Sequence, residues 1–173
     1  SSSSPDFATS PDGKVWTLRT TADGNSKSIA CDGIGVVVAK RTSTSAEIWV
    51  SANKGVTWDK KTNMPDNGLA SSTPTIHNGI ILIQANTANT LYRSTDYGTT
   101  WTTVSVPFAT AAAYPIVAVA GRFVVPALSG TYYSSSDGIT WTGHPGLLVP
   151  YATTYSERNF YRFSTNTLGD TVI

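Results

Sequence analysis

Four of the five tryptophans, Trp16, Trp58, Trp101 and Trp141, recur at intervals of 42, 43 and 40 residues. A repeated unit of that length is too short to enclose a core of its own and must stack on its neighbours to bury one. Each of these tryptophans closes a related string. Residues 51–58 read SANKGVTW and residues 94–101 read STDYGTTW, while residues 10–16 (SPDGKVW) and 135–141 (SSDGITW) are one residue shorter.

The residue types in the string are those of a tight connection between antiparallel strands. Gly13, Gly55, Gly98 and Gly138 supply a position that tolerates positive φ. Asp12, Asn53, Asp96 and Asp137 can accept hydrogen bonds from the turn's N–H groups. Ser10, Ser51, Ser94 and Ser135 add a second local bond. Trp16, Trp58, Trp101 and Trp141 open the next strand, where each ring is expected to pack in the core over the apolar side of its turn.

The segments before the strings carry large apolar groups on both faces. In EIWV (47–50), TLYR (90–93) and TYYS (131–134), Ile48, Leu91 and Tyr132 fall on one side, and Trp49, Tyr92 and Tyr133 on the other. Strands buried on both sides belong to sheets sandwiched between other sheets. A further apolar run lies upstream in each unit, at residues 35–40, 79–84, 121–126 and 158–163. A weaker one precedes each of those, at 28–31, 73–77, 114–120 and 151–155. The count is four strands per unit. No stretch combines helical periodicity with caps over about ten residues, and Pro107 and Pro115 bracket the Ala-rich segment 108–115 as a loop.

These signals predict an all-β chain, a single domain over residues 1–173, built as a β-propeller of four-stranded antiparallel blades in about four units. The chain starts in the strand before one string, residues 6–9, and stops in the corresponding strand of a later unit, residues 169–173. Two accounts fit that phase. The N-terminal strand pair completes the C-terminal blade and closes a small ring, or the chain is part of a larger ring whose other blades lie elsewhere in the chain or in sister chains. The opening Ser1-Ser2-Ser3-Ser4, with neither Met nor a signal-peptide apolar region, is the start expected of a processed or excised segment.

The string S-x-D-x-G-x-T-W resembles the Asp-box, or BNR repeat, of sialidases, sortilin-like receptors, photosystem assembly factors and many phage and bacterial surface proteins. Ser94, Asp96, Gly98, Thr100 and Trp101 match it in full; Ser51, Gly55, Thr57 and Trp58 match with Asn53 in place of the Asp; the strings around Asp12 and Asp137 depart by one deletion. The resemblance implies a propeller with Asp-box turns and leaves activity open, since the box is a folding device shared by proteins of unrelated function.

In sialidases of this architecture, the resemblance implies, three arginines clamp a carboxylate, a Tyr attacks, a Glu tunes it and an Asp is acid/base. Arg19, Arg41, Arg93, Arg122, Arg158 and Arg162 are numerous enough, yet the Phe/Tyr-Arg-Ile-Pro string of the first clamp arginine is not found. Tyr155 and Glu157, two apart on a strand, are the most suggestive pair. Asp12, Asp96 and Asp137 are already assigned to turns, and neither His77 nor His144 builds a Ser-His-Asp arrangement. A single cysteine, Cys31, excludes an intrachain disulfide and any multi-cysteine metal site. We therefore expect no catalytic residue, no metal and no cofactor, with a sialidase-type glycoside hydrolase as the enzymatic alternative.

Charged residues are 13% of the chain, the formal charge is +1, and Ser with Thr make up about a quarter. Without a basic excess or stripe, nucleic-acid binding is not expected, and without about 18 consecutive apolar residues neither is a membrane-spanning helix. A weakly charged, hydroxyl-coated surface bearing aromatic rings suits neutral glycans, which stack on Trp or Tyr faces. The candidate ligand-binding residues are Tyr97, Tyr114, Tyr151, Tyr155 and Trp49. The expected function is non-catalytic recognition of a cell-surface glycan or receptor, in a phage tail fibre or an extracellular bacterial protein. The alternative is a structural or assembly module, with sister chains or other virion proteins as partners. The expected location is extracellular or on a virion surface.

Overall fold

The computed structural model describes residues 7–10, 12–19, 26–32, 37–41, 48–65, 73–110, 115–127, 131–145, 164–165 and 171–172. Among them the chain is all-β. Three sheets have four antiparallel strands each, joined in chain order. The first contains β3 (Ser26–Cys31), β4 (Val37–Arg41), β5 (Ile48–Ser51) and β6 (Asp59–Lys61). The second contains β7 (Thr75–His77), β8 (Ile80–Gln84), β9 (Thr90–Ser94) and β10 (Thr102–Ser105). The third contains β11 (Val117–Val119), β12 (Arg122–Pro126), β13 (Tyr132–Ser135) and β14 (Thr142–His144). Two-stranded sheets flank them: β1 (Phe7–Thr9) with β2 (Thr17–Arg19), and β15 (Ser164–Thr165) with β16 (Thr171–Val172).

Three units therefore have the expected four strands, with the strings at 51–58, 94–101 and 135–141 joining the third strand to the fourth, while the string at 10–16 joins β1 to β2. The expected strands at 151–155 and 158–163 lie outside the described residues. The meander is set locally. Asn78-Gly79 and Ala120-Gly121 form two-residue loops, between the paired residues His77 and Ile80 and between Val119 and Arg122. All four loop residues have positive φ, the conformation that matches the twist of a hairpin.

The first strands of successive sheets meet, β3 against β7 and β7 against β11. Sheets that touch along their first strands and fan outward bury both faces of the middle sheet. In β8 the alternation shows this directly. Ile81 and Ile83 join a cluster with Tyr92 of the same sheet and with Ile48, Val50 and Met64 of the preceding unit. Leu82, pointing the other way, joins Leu91, Val106, Phe108, Phe123 and Val125 on the side of the following one. The core lies between sheets, which is why these strands are apolar on both faces.

The ring-closing account fails. β1–β2 and β15–β16 remain separate two-stranded sheets, and the described sheets do not close into a ring. At the N-terminal hairpin Phe7 packs edge-on against Trp58 of the next unit with ring centroids 5.4 Å apart.

Candidate functional site

The described residues of the strings at 10–16, 51–58, 94–101 and 135–141 are cross-braced by local hydrogen bonds, and the fold presents such a turn once per unit. In residues 94–101, Ser94 Oγ donates to Asp96 Oδ1 at 2.8 Å and accepts from the Gly98 amide at 2.8 Å. Asp96 also accepts from the Thr100 amide at 2.8 Å and from Thr100 Oγ1 at 2.7 Å. Those bonds, led by the one from the Thr100 amide, hold the Asp96 carboxyl down at about 2. Around Asp137 the donors are the Ile139 and Thr140 amides, both at 2.8 Å, with Ser135 Oγ. The Ile139 amide is the largest cause of a pKa again lowered to about 2. Asp12 is lowered likewise, first by the Lys14 amide and then by that of Val15.

The one-residue deletion in the shorter strings is absorbed without loss of this network. In the long form both Tyr97 and Gly98 have positive φ; around Asp137 only Gly138 does. The serine-to-glycine-amide bond is 2.8 Å long whether it spans four residues (Ser94, Gly98) or three (Ser135, Gly138). Asn53 keeps the acceptor role through Oδ1, 2.8 Å from the Thr57 amide, and its Nδ2 donates to Thr57 Oγ1 at 2.8 Å. The threonine hydroxyl simply reverses from donor to acceptor.

Each turn after the first leans on the sheet before it. A Cβ on Gly55 would meet the Phe7 ring at 3.0 Å, one on Gly98 the Lys61 stem at 3.5 Å, and one on Gly138 the Leu82 Cδ2 at 2.8 Å. Asn63 Nδ2 donates to the Thr99 carbonyl at 3.0 Å and Arg93 Nε to the Asp137 carbonyl at 2.7 Å. Trp101 packs against the cluster around Ile48, and Trp141 stands edge-on to Phe108 at 4.9 Å. Trp58, Trp101 and Trp141 are thus half-buried against the preceding unit. The expectation of a packed ring fails for Trp16. It is 60% exposed and nothing lies within 4 Å of a Cβ on Gly13, because no preceding sheet covers that turn among the described residues.

Because the four turns occupy one position in successive units, they lie at one end of the stacked sheets. Val15, Val56, Tyr97 and Ile139 stand exposed there, one per turn. Tyr97 is 39% exposed at the turn apex, its hydroxyl 3.5 Å from where a Cβ on Gly79 would sit. Trp49 does not share this surface: it is buried in β5 with Lys60 Nζ 5.6 Å over its ring. Tyr114, Tyr151 and Tyr155 lie outside the described residues, as do Glu157, Arg158 and Arg162. Of the other arginines, Arg19 bonds Thr9 Oγ1 at 3.2 Å and Arg93 pins the next turn. His144 Nε2 lies 2.8 Å from Ser134 Oγ, with its ring stacked on Tyr132. Sequence reasoning missed Val56 and Ile139; the signal was an apolar residue directly after the turn glycine, where a polar one would cost nothing.

No family model matches the chain, and no curated protein matches it. Solved structures match it in shape. YCF48 bound to D1 peptide aligns over 69% of this chain with a TM-score of 0.50 at 15% identity. The GH74 xyloglucanase from Xanthomonas campestris aligns over 73% with a TM-score of 0.52 at 18% identity. The fold is that of β-propeller blades. A GH74 enzyme from Niastella koreensis agrees, with a TM-score of 0.51 over 68% of the chain at 22% identity. This propeller chain spans 40% of the YCF48 chain and 17% and 19% of the Niastella and Xanthomonas GH74 chains. At these identities the likeness carries architecture alone, and that architecture serves catalytic and non-catalytic proteins alike.

Proposed function

We propose that the four strings are Asp-box turns and that the end of the propeller they form is a non-catalytic recognition surface for neutral glycans. The observation that carries this reading is Tyr97, an exposed ring held at the apex of a turn fixed by the Ser94–Asp96–Thr100 bonds. A ring that is already ordered loses little freedom when a sugar stacks on it. Val56 and Ile139 stand exposed on the corresponding turns of the units before and after. The carboxylates of Asp12, Asp96 and Asp137 are occupied as anions by turn N–H groups. Arg93 is occupied between sheets. These engagements favour binding over the sialidase-type alternative. Such a surface suits an extracellular bacterial protein or a phage tail fibre.

An array of immobilised neutral glycans tests the reading. The intact chain should bind a subset, Tyr97→Ala should weaken binding roughly tenfold, as loss of about 1.4 kcal/mol of stacking would, and Tyr97→Phe should retain most of it. Absence of any bound glycan, or binding indifferent to Tyr97→Ala, would overturn it.

A second reading, an assembly module, is favoured by the uncovered apolar residues of the first hairpin, Val15, Trp16 and Leu18.

A further inference from the structure

Features shared by every unit build the sheets; a feature carried by one sheet alone calls for another explanation. At one end of the β7–β10 sheet, three residues with left-handed backbone come together. Asn78 (φ 48°) and Gly79 (φ 75°) form the loop from β7 to β8, and Tyr97 (φ 54°) stands at the apex of the turn from β9 to β10. The Tyr97 side chain reaches from one turn to the other. Its hydroxyl lies 3.5 Å, and its Cζ 3.8 Å, from where a Cβ on Gly79 would sit. The ring is held at its base by the turn and at its tip by the loop, yet the residue stays 39% exposed.

A left-handed backbone is an unfavourable place for a tyrosine, since it suits Gly or Asn and crowds a bulky side chain. At the equivalent position the β3–β6 sheet has Lys54, and the shorter string of the β11–β14 sheet keeps only its glycine, Gly138. The loop of that last sheet is Ala120-Gly121, which has no side-chain amide, and nothing lies within 4 Å of a Cβ on Gly121. Strain retained at one place, without a packing role common to the other sheets, marks a functional position. Asn78 is exposed beside Tyr97, and no described residue hydrogen-bonds its side-chain amide.

We infer that Tyr97 and Asn78 form one sugar subsite, which takes a neutral hexopyranose residue bearing two vicinal hydroxyls. The inference rests on the glycan reading of this end of the molecule and adds what the site selects. The ring supports the apolar C–H face of the sugar. The Asn78 Oδ1 accepts from one hydroxyl while Nδ2 donates to its neighbour, a two-point contact that one hydroxyl alone does not satisfy. A sugar lacking either hydroxyl leaves half of the amide unpaired, and the site rejects it for that reason.

NMR titration of the whole chain with the methyl glycosides of galactose, mannose and glucose, each beside its monodeoxy analogues, tests it. At least one parent sugar should shift the Tyr97 ring and Asn78 side-chain signals together. Asn78→Gly keeps a residue suited to the left-handed loop and should weaken that sugar roughly tenfold. It should weaken the analogue lacking one of the paired hydroxyls by no more than about threefold, since half of the contact is already gone. Asn78→Asp, which keeps the acceptor without the donor, should fall between wild type and Asn78→Gly. Tyr97→Ala should abolish binding of parent and analogue alike, and circular dichroism checks that each variant is folded. If Tyr97→Ala removes binding and Asn78→Gly does not, or if Asn78→Gly weakens the parent and every analogue equally, the inference fails while the glycan reading stands. A wild type that binds arrayed glycans through Tyr97 but none of these sugars also overturns the inference alone. Binding of no glycan in either assay overturns both.

Discussion

At position 53 the chain places an amide where the equivalent turns carry Asp12, Asp96 and Asp137. The substitution keeps every bond the turn needs but removes the charge, and it separates the effect of pH on these turns from their geometry. Folding lowers the Asp96 and Asp137 pKa from 3.8 to about 2, so the folded chain holds fewer protons than the unfolded one between those values. Their stabilisation is complete above about pH 4 and is lost as pH falls through 2, and exposure to solvent keeps it modest. Urea midpoints measured from pH 5 to pH 2 should fall for the wild type and fall less for Asp96→Asn. The expected glycine effects diverge in the same way. Gly138→Ala sets a Cβ 2.8 Å from a buried leucine as well as in a positive-φ position, and should cost about 2–3 kcal/mol. Gly13→Ala has open space and should cost only the backbone strain, about 1 kcal/mol. Chemical denaturation of the two variants measures the difference.

Within β8, adjacent residues serve different junctions. Ile83 faces the sheet before and Leu82 the sheet after, and both are fully buried. Truncating either to Ala should cost about 2–5 kcal/mol, but hydrogen exchange should tell them apart. Ile83→Ala should release protection in β5, and Leu82→Ala in β13. This double burial was legible in the sequence, because apolar groups fell on both faces of 47–50, 90–93 and 131–134 and the strings fell at one phase of each unit. The strand limits were legible too, to within two or three residues: β7 begins at Thr75 and β11 at Val117 rather than at 73 and 114. What covers each unit was not legible. A period states where a residue sits in its unit and is silent about the neighbour, so Trp16 reads like Trp58 although only Trp58 has Phe7 beside it. For the same reason Trp49, read as a candidate platform, is buried under Lys60. Of the candidate surface, Tyr97 was found from its place in the turn string, while the other exposed turn residues needed the stacking to bring them to one end.

Among the described sheets, first strands meet between consecutive units, β3 with β7 and β7 with β11, the arrangement of a one-dimensional stack. Removal of residues 59–101, one interval from Trp58 to Trp101, splices equivalent positions and leaves each junction with a matching partner. The shortened chain should still fold, with a cooperative melt and far-UV circular dichroism of β type; loss of both would show that the middle unit is irreplaceable. Seen from the gene, the related strings mark equivalent positions, so a deletion or duplication running from one to the next would keep the hydrogen-bond register. A lineage carrying such a chain can therefore lengthen or shorten its reach by one whole sheet at a time, without passing through a misfolded intermediate sequence.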